Sequence, residues 1–140
     1  MFLLDTVVLS ELRKRQRNPH VVAWIKAQRS ADFFLSVISI GEIERGIARQ
    51  QPKNPAFAET LGRWLDAVVA LYGDRILPFD LNVARRWGQL SAALGNDSAD
   101  LMIAATALEH GLAVVTHHLS DFAPTGVASI DPFSPAPQRR

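Results

Sequence analysis

The chain has 140 residues, of which 48% are hydrophobic and none is cysteine, and its formal net charge is +1. This length suits one domain, the apolar content argues against intrinsic disorder, and the lack of cysteine excludes a disulfide scaffold, a cysteine-ligated metal site and thiol catalysis. No apolar run approaches the roughly 20 residues that span a bilayer, and the N-terminus lacks the basic region of a signal peptide. We therefore expect a cytoplasmic protein without a membrane segment. The near-zero net charge argues against nucleic-acid binding by bulk charge.

Short apolar strands alternate with helices along the chain. Pro19 suits the first turn of a helix, Asp80 is a suitable N-cap, and Gly95 and Gly111 follow helical segments as glycines do at helix ends. In chain order, we predict a strand over 2–4, helices over 6–14 and from 19, a strand over 33–35, helices over 36–51 and 55–71, a strand over 75–79, helices from the cap at 80 to 94 and over 99–110, and strands over 112–115 and 127–130.

This alternation indicates an α/β domain built on a mainly parallel, roughly five-stranded sheet. Folds of that kind place their functional site outside the C-terminal ends of the strands, so the acids at those ends are the first candidates. We assign residues 1–133 to the domain. Residues 134–140 are proline-rich and end in two arginines, and we expect them to form a mobile C-terminal tail.

Two aspartates lie where this rule places a site. Asp5 directly follows the first strand, although an aspartate there can equally be the N-cap of the next helix. Asp100 shares its helix face with apolar residues three, four, seven and eight positions later. A carboxylate on a buried face is costly unless it is paired or binds a metal. The alternative is that the helix dipole alone stabilises it in the first turn.

Three further acids have weaker support. Glu42 and Glu44 are both on the third helix, and Glu44 lies nearer to the apolar stripe, so periodicity does not choose between them. Asp121 follows the fourth strand on the same side of the sheet, where loop aspartates are common. Together the pattern places at least three acids at one rim of the sheet.

Carboxylates close together repel one another and raise each other's pKa, and a divalent cation relieves that repulsion. Oxygen donors without cysteine suit Mg²⁺ or Mn²⁺, which activate water and bind phosphoryl oxygens. The acids therefore predict phosphodiester chemistry. The sequence has no Walker or dinucleotide glycine loop and no Gly-x-Ser-x-Gly elbow, and Val7 stands where an aspartyl-phosphate phosphatase would carry a second aspartate.

Four segments carry a resemblance to a known family. They are FLLDTVVLSEL at 2–12, LSVISIGEIERG at 35–46, ILPFD at 76–80 and ADLMIAATALEHGL at 99–112, of which the last is the most specific. In this order they resemble the PIN-domain ribonucleases, specifically the VapC-type toxins of bacterial toxin–antitoxin pairs with their FitB-like group. The similarity extends over nearly the whole chain, to Phe133.

The resemblance implies a three-layer α/β/α fold and RNA cleavage that depends on Mg²⁺ or Mn²⁺. Asp5, Glu42 and Asp100 fall on the family's metal-binding carboxylates, so the family pattern selects Glu42 over Glu44. Thr6 falls on a position whose hydroxyl often lines the site.

The chain departs from the family pattern at two places. Val7 replaces the asparagine of the common Asp-Thr-Asn start, and Thr116-His117-His118 replaces Thr-Arg-Asn or Thr-Arg-Asp. His118 therefore stands where some relatives carry their fourth acid, while Asp121 matches an acid in others. Either could complete the metal shell, and His118 could instead be a neutral substrate contact. Thr116 and His118 are candidates for lining the site.

The resemblance also implies partners: a second copy in a homodimer, a structured RNA such as tRNA, and a small VapB-type antitoxin. The antitoxin would cover apolar grooves and place a basic residue in the acidic site. Trp24, Trp64 and Leu65 are candidates for those grooves or for the core. Residues 11–30 carry six basic side chains and one acidic side chain, which can contact phosphates or form a solvated helix face.

Two other functions fit the same sequence. Val7 and the histidine pair at 117 and 118 are compatible with a binding module whose nuclease site has decayed. The same fold could also carry a DNA nuclease.

Overall fold

The structure is a computed structural model that describes residues 1–135 and the backbone of 138 and 139. None of its helices in this part of the chain is long and apolar enough to cross a membrane. The elements are β1 (Phe2–Leu4), α1 (Thr6–Arg13), α2 (Pro19–Lys26), β2 (Phe33–Ser36), α3 (Val37–Gln50), α4 (Pro55–Tyr72), β3 (Ile76–Leu77), α5 (Leu81–Leu94), α6 (Ala99–His110), β4 (Ala113–Val115), α7 (Leu119–Phe122), β5 (Ser129–Asp131) and β6 (Gln138–Arg139), with single 3-10 turns before β2, before β3 and after α7.

The strands form one sheet in the order β3-β2-β1-β4-β5-β6. The first five are parallel, and β6 pairs antiparallel with β5. The predicted parallel sheet of about five strands is therefore confirmed, and a sixth strand comes from the segment expected to be a mobile tail. Residues 136, 137 and 140 of that segment lie outside the described residues, so the domain boundary at 133 and the mobility of the tail stay predictions.

Helices cover both faces of the sheet because neighbouring residues of a strand point to opposite sides. On one face, Leu3 of β1 and Val114 of β4 belong to a buried cluster with Ile103 and Ala107 of α6 and Phe122 of α7. This cluster anchors α6, whose first turn reaches the edge of the sheet where β1 and β4 end.

The opposite face has its own buried cluster, in which Leu4 and Val115 meet Val8, Val21 and Val68 of α1, α2 and α4. Two helical layers thus enclose the sheet, and the expected three-layer α/β/α fold is confirmed.

Of the residues considered for a partner surface or the core, Leu65 belongs to the core and the half-buried Trp24 packs against it. Leu65 has only 3% of its surface exposed, and Trp24 packs edge-on against Phe2 with 5.0 Å between ring centroids. Both lie on the face where the helix stripes of α2 and α4 turn inward, which periodicity alone cannot distinguish from an exposed apolar stripe.

Helix ends follow the sequence closely. Asp80 Oδ1 accepts a hydrogen bond from Val83 N at 3.0 Å, as an N-cap does. Gly95 and Gly111 end α5 and α6 with φ of 70° and 66°, a left-handed conformation that favours glycine.

The structure differs from the prediction in β3, β5 and α7. β5 is Ser129–Asp131 and not 127–130. β3 is only Ile76–Leu77 because Arg75 belongs to the preceding 3-10 turn and Pro78 has no N–H to donate to a neighbouring strand. α7 has four residues, too few to give a periodic signal in the sequence. It matters because it carries Asp121.

Candidate active site

The edge of the sheet at the ends of β1 and β4 is where the chain switches sides. β2 and β3 are added on one side of β1, and β4 and β5 on the other, so this edge is the crevice where parallel α/β folds bind ligands. Asp5 directly follows β1, and Thr116 and His118 follow β4. Asp5 N donates to Val115 O at 2.9 Å, which fixes the aspartate at the crevice.

Asp5 is buried, with 3% of its surface exposed. Its Oδ1 accepts from Thr6 N and its Oδ2 accepts from the Thr116 hydroxyl, both at 2.8 Å. Burial raises the pKa of Asp5 to about 6; the Thr116 hydrogen bond opposes the rise and the charge of Asp100 adds to it. The N-cap and site interpretations are compatible, since Asp5 is the N-cap of α1 while its carboxylate faces another acid.

Asp100 links the four predicted acids electrostatically. It lies in the first turn of α6 and is half-buried. Burial raises its pKa, and the carboxylates of Asp121 and Glu42 raise it further, while Asp100 in turn acts on Asp5. Three acids from other parts of the fold thus lie within electrostatic reach of Asp100, and a divalent cation would relieve their mutual repulsion.

The apolar face predicted around Asp100 is confirmed. Ile103, Ala104 and Ala107 have no exposed surface, and Leu108 packs against the same cluster. The carboxylate therefore ends an otherwise apolar stripe, where water stabilises its charge poorly.

Side-chain contacts separate Glu42 from Glu44. Glu44 is exposed, whereas Glu42 is partly buried and its Oε1 lies 2.7 Å from Thr6 Oγ1. The same Thr6 oxygen lies 2.8 Å from Oγ of Ser39, a fully buried residue one turn before Glu42 on α3. Sequence reasoning missed Ser39. The available signal was its spacing of three residues from Glu42, which places both on one helix face.

The segment after β4 contributes Asp121 and His118. Asp121 is exposed in the first turn of α7, and with Asp100 it lines a cavity of about 500 Å³. The exposed ring of His118 favours the ionised forms of Asp5 and Asp100, against the effect of burial. His118 N donates to Thr116 Oγ1 at 2.9 Å, so the buried Thr116 hydroxyl joins this segment to Asp5.

The two departures from the family pattern have different surroundings. Val7 packs against the apolar cluster of α1, α2 and α4. His117 contacts residues at and after the end of β5. Its Nδ1 lies 3.4 Å from the carboxylate of Asp131, and its ring centroid lies 4.4 Å from that of Phe133. Of the histidine pair, His118 is the one that acts on the acids.

The donor set fits a hard divalent cation. The groups at this edge are carboxylates and hydroxyls, which Mg²⁺ and Mn²⁺ prefer. Burial raises the pKa of Asp5 and Asp100, and the neighbouring carboxylates add to the rise; a bound cation would offset both effects. Within residues 1–135, no three Asp, Glu or His side chains already converge on one ligand position.

Comparison with known proteins identifies the family. The PIN domain model matches residues 2–123. VapC ribonuclease Y4jK of Sinorhizobium fredii is 36% identical over 141 residues, covering 97% of this chain and 100% of that protein. Toxin FitB of Neisseria gonorrhoeae is 36% identical over 140 residues, covering 95% and 99%. The crystal structure of FitAcB from Neisseria gonorrhoeae has a TM-score of 0.84 at 36% identity and covers 95% of this chain and 99% of that chain. With most of its length matched, the chain belongs to the PIN domain family.

Proposed function

We propose that this chain is a metal-dependent endoribonuclease that serves as the toxin of a toxin–antitoxin pair. The observation that supports this most is the electrostatic coupling of Asp100 to Asp5, Glu42 and Asp121 at one edge of the sheet. Relatives similar over nearly their whole length are named ribonuclease and toxin, which favours RNA as the substrate and the toxin role here. Structured RNA in the cytoplasm, such as tRNA, is the proposed target.

Mg²⁺ or Mn²⁺ is the cofactor that the oxygen donors favour. Asp5, Glu42 and Asp100 would hold it, and we assign the fourth position to Asp121, because a carboxylate is a harder ligand than an imidazole and Asp121 lines the same cavity as Asp100. Bound there, the ion would activate water and stabilise the charge that develops on the scissile phosphate.

The chain's own residues orient these ligands before the ion arrives. Thr6 N and the Thr116 hydroxyl each hold one oxygen of Asp5. The Thr6 hydroxyl holds Glu42. Because the apolar face of α6 lowers the local dielectric around Asp100, attraction between the carboxylates and a cation is stronger there than in water.

Next to the site, a groove between α1, α3 and α4 suits the antitoxin. Glu42 lines it together with Phe57, Leu61 and Trp64. Arg13 also lines it, with its guanidinium carbon 5.6 Å from the centre of the Phe57 ring. Apolar lining beside an acid matches an antitoxin segment with apolar side chains for the groove and a basic side chain for the acids.

Leu61→Glu tests this docking surface. We expect it to weaken binding of the purified cognate antitoxin by about 10- to 100-fold, since the complex would bury a charge in apolar contact. Cleavage by the free toxin should not change. Calorimetric titration gives the affinity, and Leu71→Glu is the matched control because Leu71 lies on the same helix and is 72% exposed. Equal losses for both variants would contradict the assignment of the groove.

Purified, antitoxin-free protein and total cellular RNA test the activity itself. We expect cleavage in Mg²⁺ or Mn²⁺, none in EDTA, and recovery when the ion is restored in excess. Cleavage that persists in EDTA would contradict metal dependence. RNA that stays intact although antitoxin still binds would favour the decayed binding module, and cleavage of DNA alone would favour a DNA nuclease. Light scattering of the same sample tests the homodimer that the family resemblance implies.

A further inference from the structure

A chain of hydroxyl groups connects Ser39 to Glu42. Thr6 Oγ1 lies 2.8 Å from Ser39 Oγ and 2.7 Å from Glu42 Oε1. A hydroxyl carries one proton, and an ionised carboxylate only accepts. The Thr6 proton therefore goes to Glu42, and the Ser39 hydroxyl donates to Thr6 Oγ1.

Thr6 is the point where this chain meets the rest of the acid cluster. Its backbone N–H donates to Asp5 Oδ1 at 2.8 Å, while its side chain holds Glu42. Thr6 thus fixes the position of the Asp5 carboxylate relative to that of Glu42, which lies on a different element. Ser39 has no exposed surface, so its hydroxyl meets Thr6 on the protein side of that residue and away from the groove.

We propose that Ser39 is a positioning residue of the nuclease site: its hydroxyl keeps Thr6 in the rotamer that aims Glu42 at the cation. This rests on the function proposed above. Hydrogen-bond partners behind a metal ligand commonly tune metal affinity about 10- to 100-fold. Without the Ser39 hydroxyl, the Thr6 side chain loses the contact that fixes its rotamer, and Glu42 must be ordered when the cation binds.

Calorimetric titration with Mn²⁺ tests the relay through a double-mutant cycle. We expect Ser39→Ala and Thr6→Val each to weaken Mn²⁺ binding by about 10-fold. The double variant should bind no more weakly than Thr6→Val alone, because Ser39 acts only through Thr6. Thr6→Ser keeps the hydroxyl and should restore affinity to within about twofold of the unaltered chain.

Ser129→Ala is the matched control. Ser129 also has no exposed surface, and among the described residues its Oγ finds no hydrogen-bond partner. We expect this variant to bind Mn²⁺ as the unaltered chain does. In RNA cleavage, Ser39→Ala should raise the Mn²⁺ concentration needed for half the maximal rate and leave the rate at saturating Mn²⁺ nearly unchanged, a split that general destabilisation would not produce.

Several outcomes would overturn the relay. Unchanged Mn²⁺ affinity in Ser39→Ala would do so, as would additive losses in the double variant. If Ser39→Ala does not fold, Thr6→Val against Thr6→Ser tests the Thr6 hydroxyl through which Ser39 must act, and equal Mn²⁺ affinity in that pair overturns the proposal. If the unaltered chain binds no Mn²⁺ and leaves RNA intact, the nuclease function and the relay are overturned together. If the unaltered chain binds Mn²⁺ and cleaves RNA, but no better than Ser39→Ala does, the relay alone is overturned.

Discussion

Asp100→Asn is expected to lower the rate of RNA cleavage by at least about 100-fold at fixed Mn²⁺. Asp100 is the acid through which the other three are coupled, and asparagine offers the cation one neutral oxygen in place of a charged carboxylate. A bound metal supplies several kcal/mol of charge stabilisation, and about 1.4 kcal/mol corresponds to a factor of ten in rate. Initial rates on a fixed RNA substrate measure the loss.

Asp97→Asn is the control for that experiment. It removes the same charge three residues earlier, at an exposed position before α6. We expect its rate to stay within about twofold of the unaltered chain, as for most surface substitutions. If Asp100→Asn cleaves as fast as Asp97→Asn, Asp100 does not bind the catalytic ion.

Asp5→Asn is expected to abolish cleavage and yet to stabilise the metal-free protein at neutral pH. The folded state raises the pKa of Asp5 from 3.8 to about 6, mainly through burial, so it holds this proton more tightly than the unfolded chain does. The resulting stabilisation is complete below pH 3.8, is lost as the pH rises through about 6, and is absent above that. Asparagine does not titrate and avoids the loss.

The advantage of Asp5→Asn should therefore grow from near zero at about pH 4 to about 1–3 kcal/mol at about pH 7. In both proteins the raised pKa of Asp100 also makes the free energy of unfolding fall as the pH rises. Urea unfolding in EDTA at the two pH values measures the difference. Added Mn²⁺ should reverse the order, since it stabilises only the protein that binds it. A variant less stable than the unaltered chain in EDTA at neutral pH would contradict this account of Asp5.

The sequence was sufficient for the features that depend on local chemistry. Glycines that end helices and an aspartate that caps one predicted where those helices begin and end. The rule that parallel sheets place sites at their C-terminal edge located Asp5 and Asp100 at the crevice. Burial of Ile103, Ala104 and Ala107 follows from helical spacing alone.

Features that depend on contacts between distant elements could not be predicted in the same way. Helical geometry brings Glu44 nearer to the apolar stripe than Glu42, and without the family pattern the choice needs the burial of Glu42 and its contact with Thr6 on another helix. Ser39 escaped notice for the same reason, because its partner is 33 residues away in the chain. α7 was missed because four residues give no periodic pattern.

Asp5, Glu42, Asp100 and Asp121 are expected to hold a divalent cation together. The most direct measurement is the anomalous scattering of Mn²⁺ in crystals of the antitoxin-free protein. We expect one or two anomalous peaks at the C-terminal edge of β1 and β4, within about 2.3 Å of oxygens from these carboxylates. Crystals grown in excess Mn²⁺ with no peak among the four acids, or with peaks only elsewhere on the surface, would contradict the account.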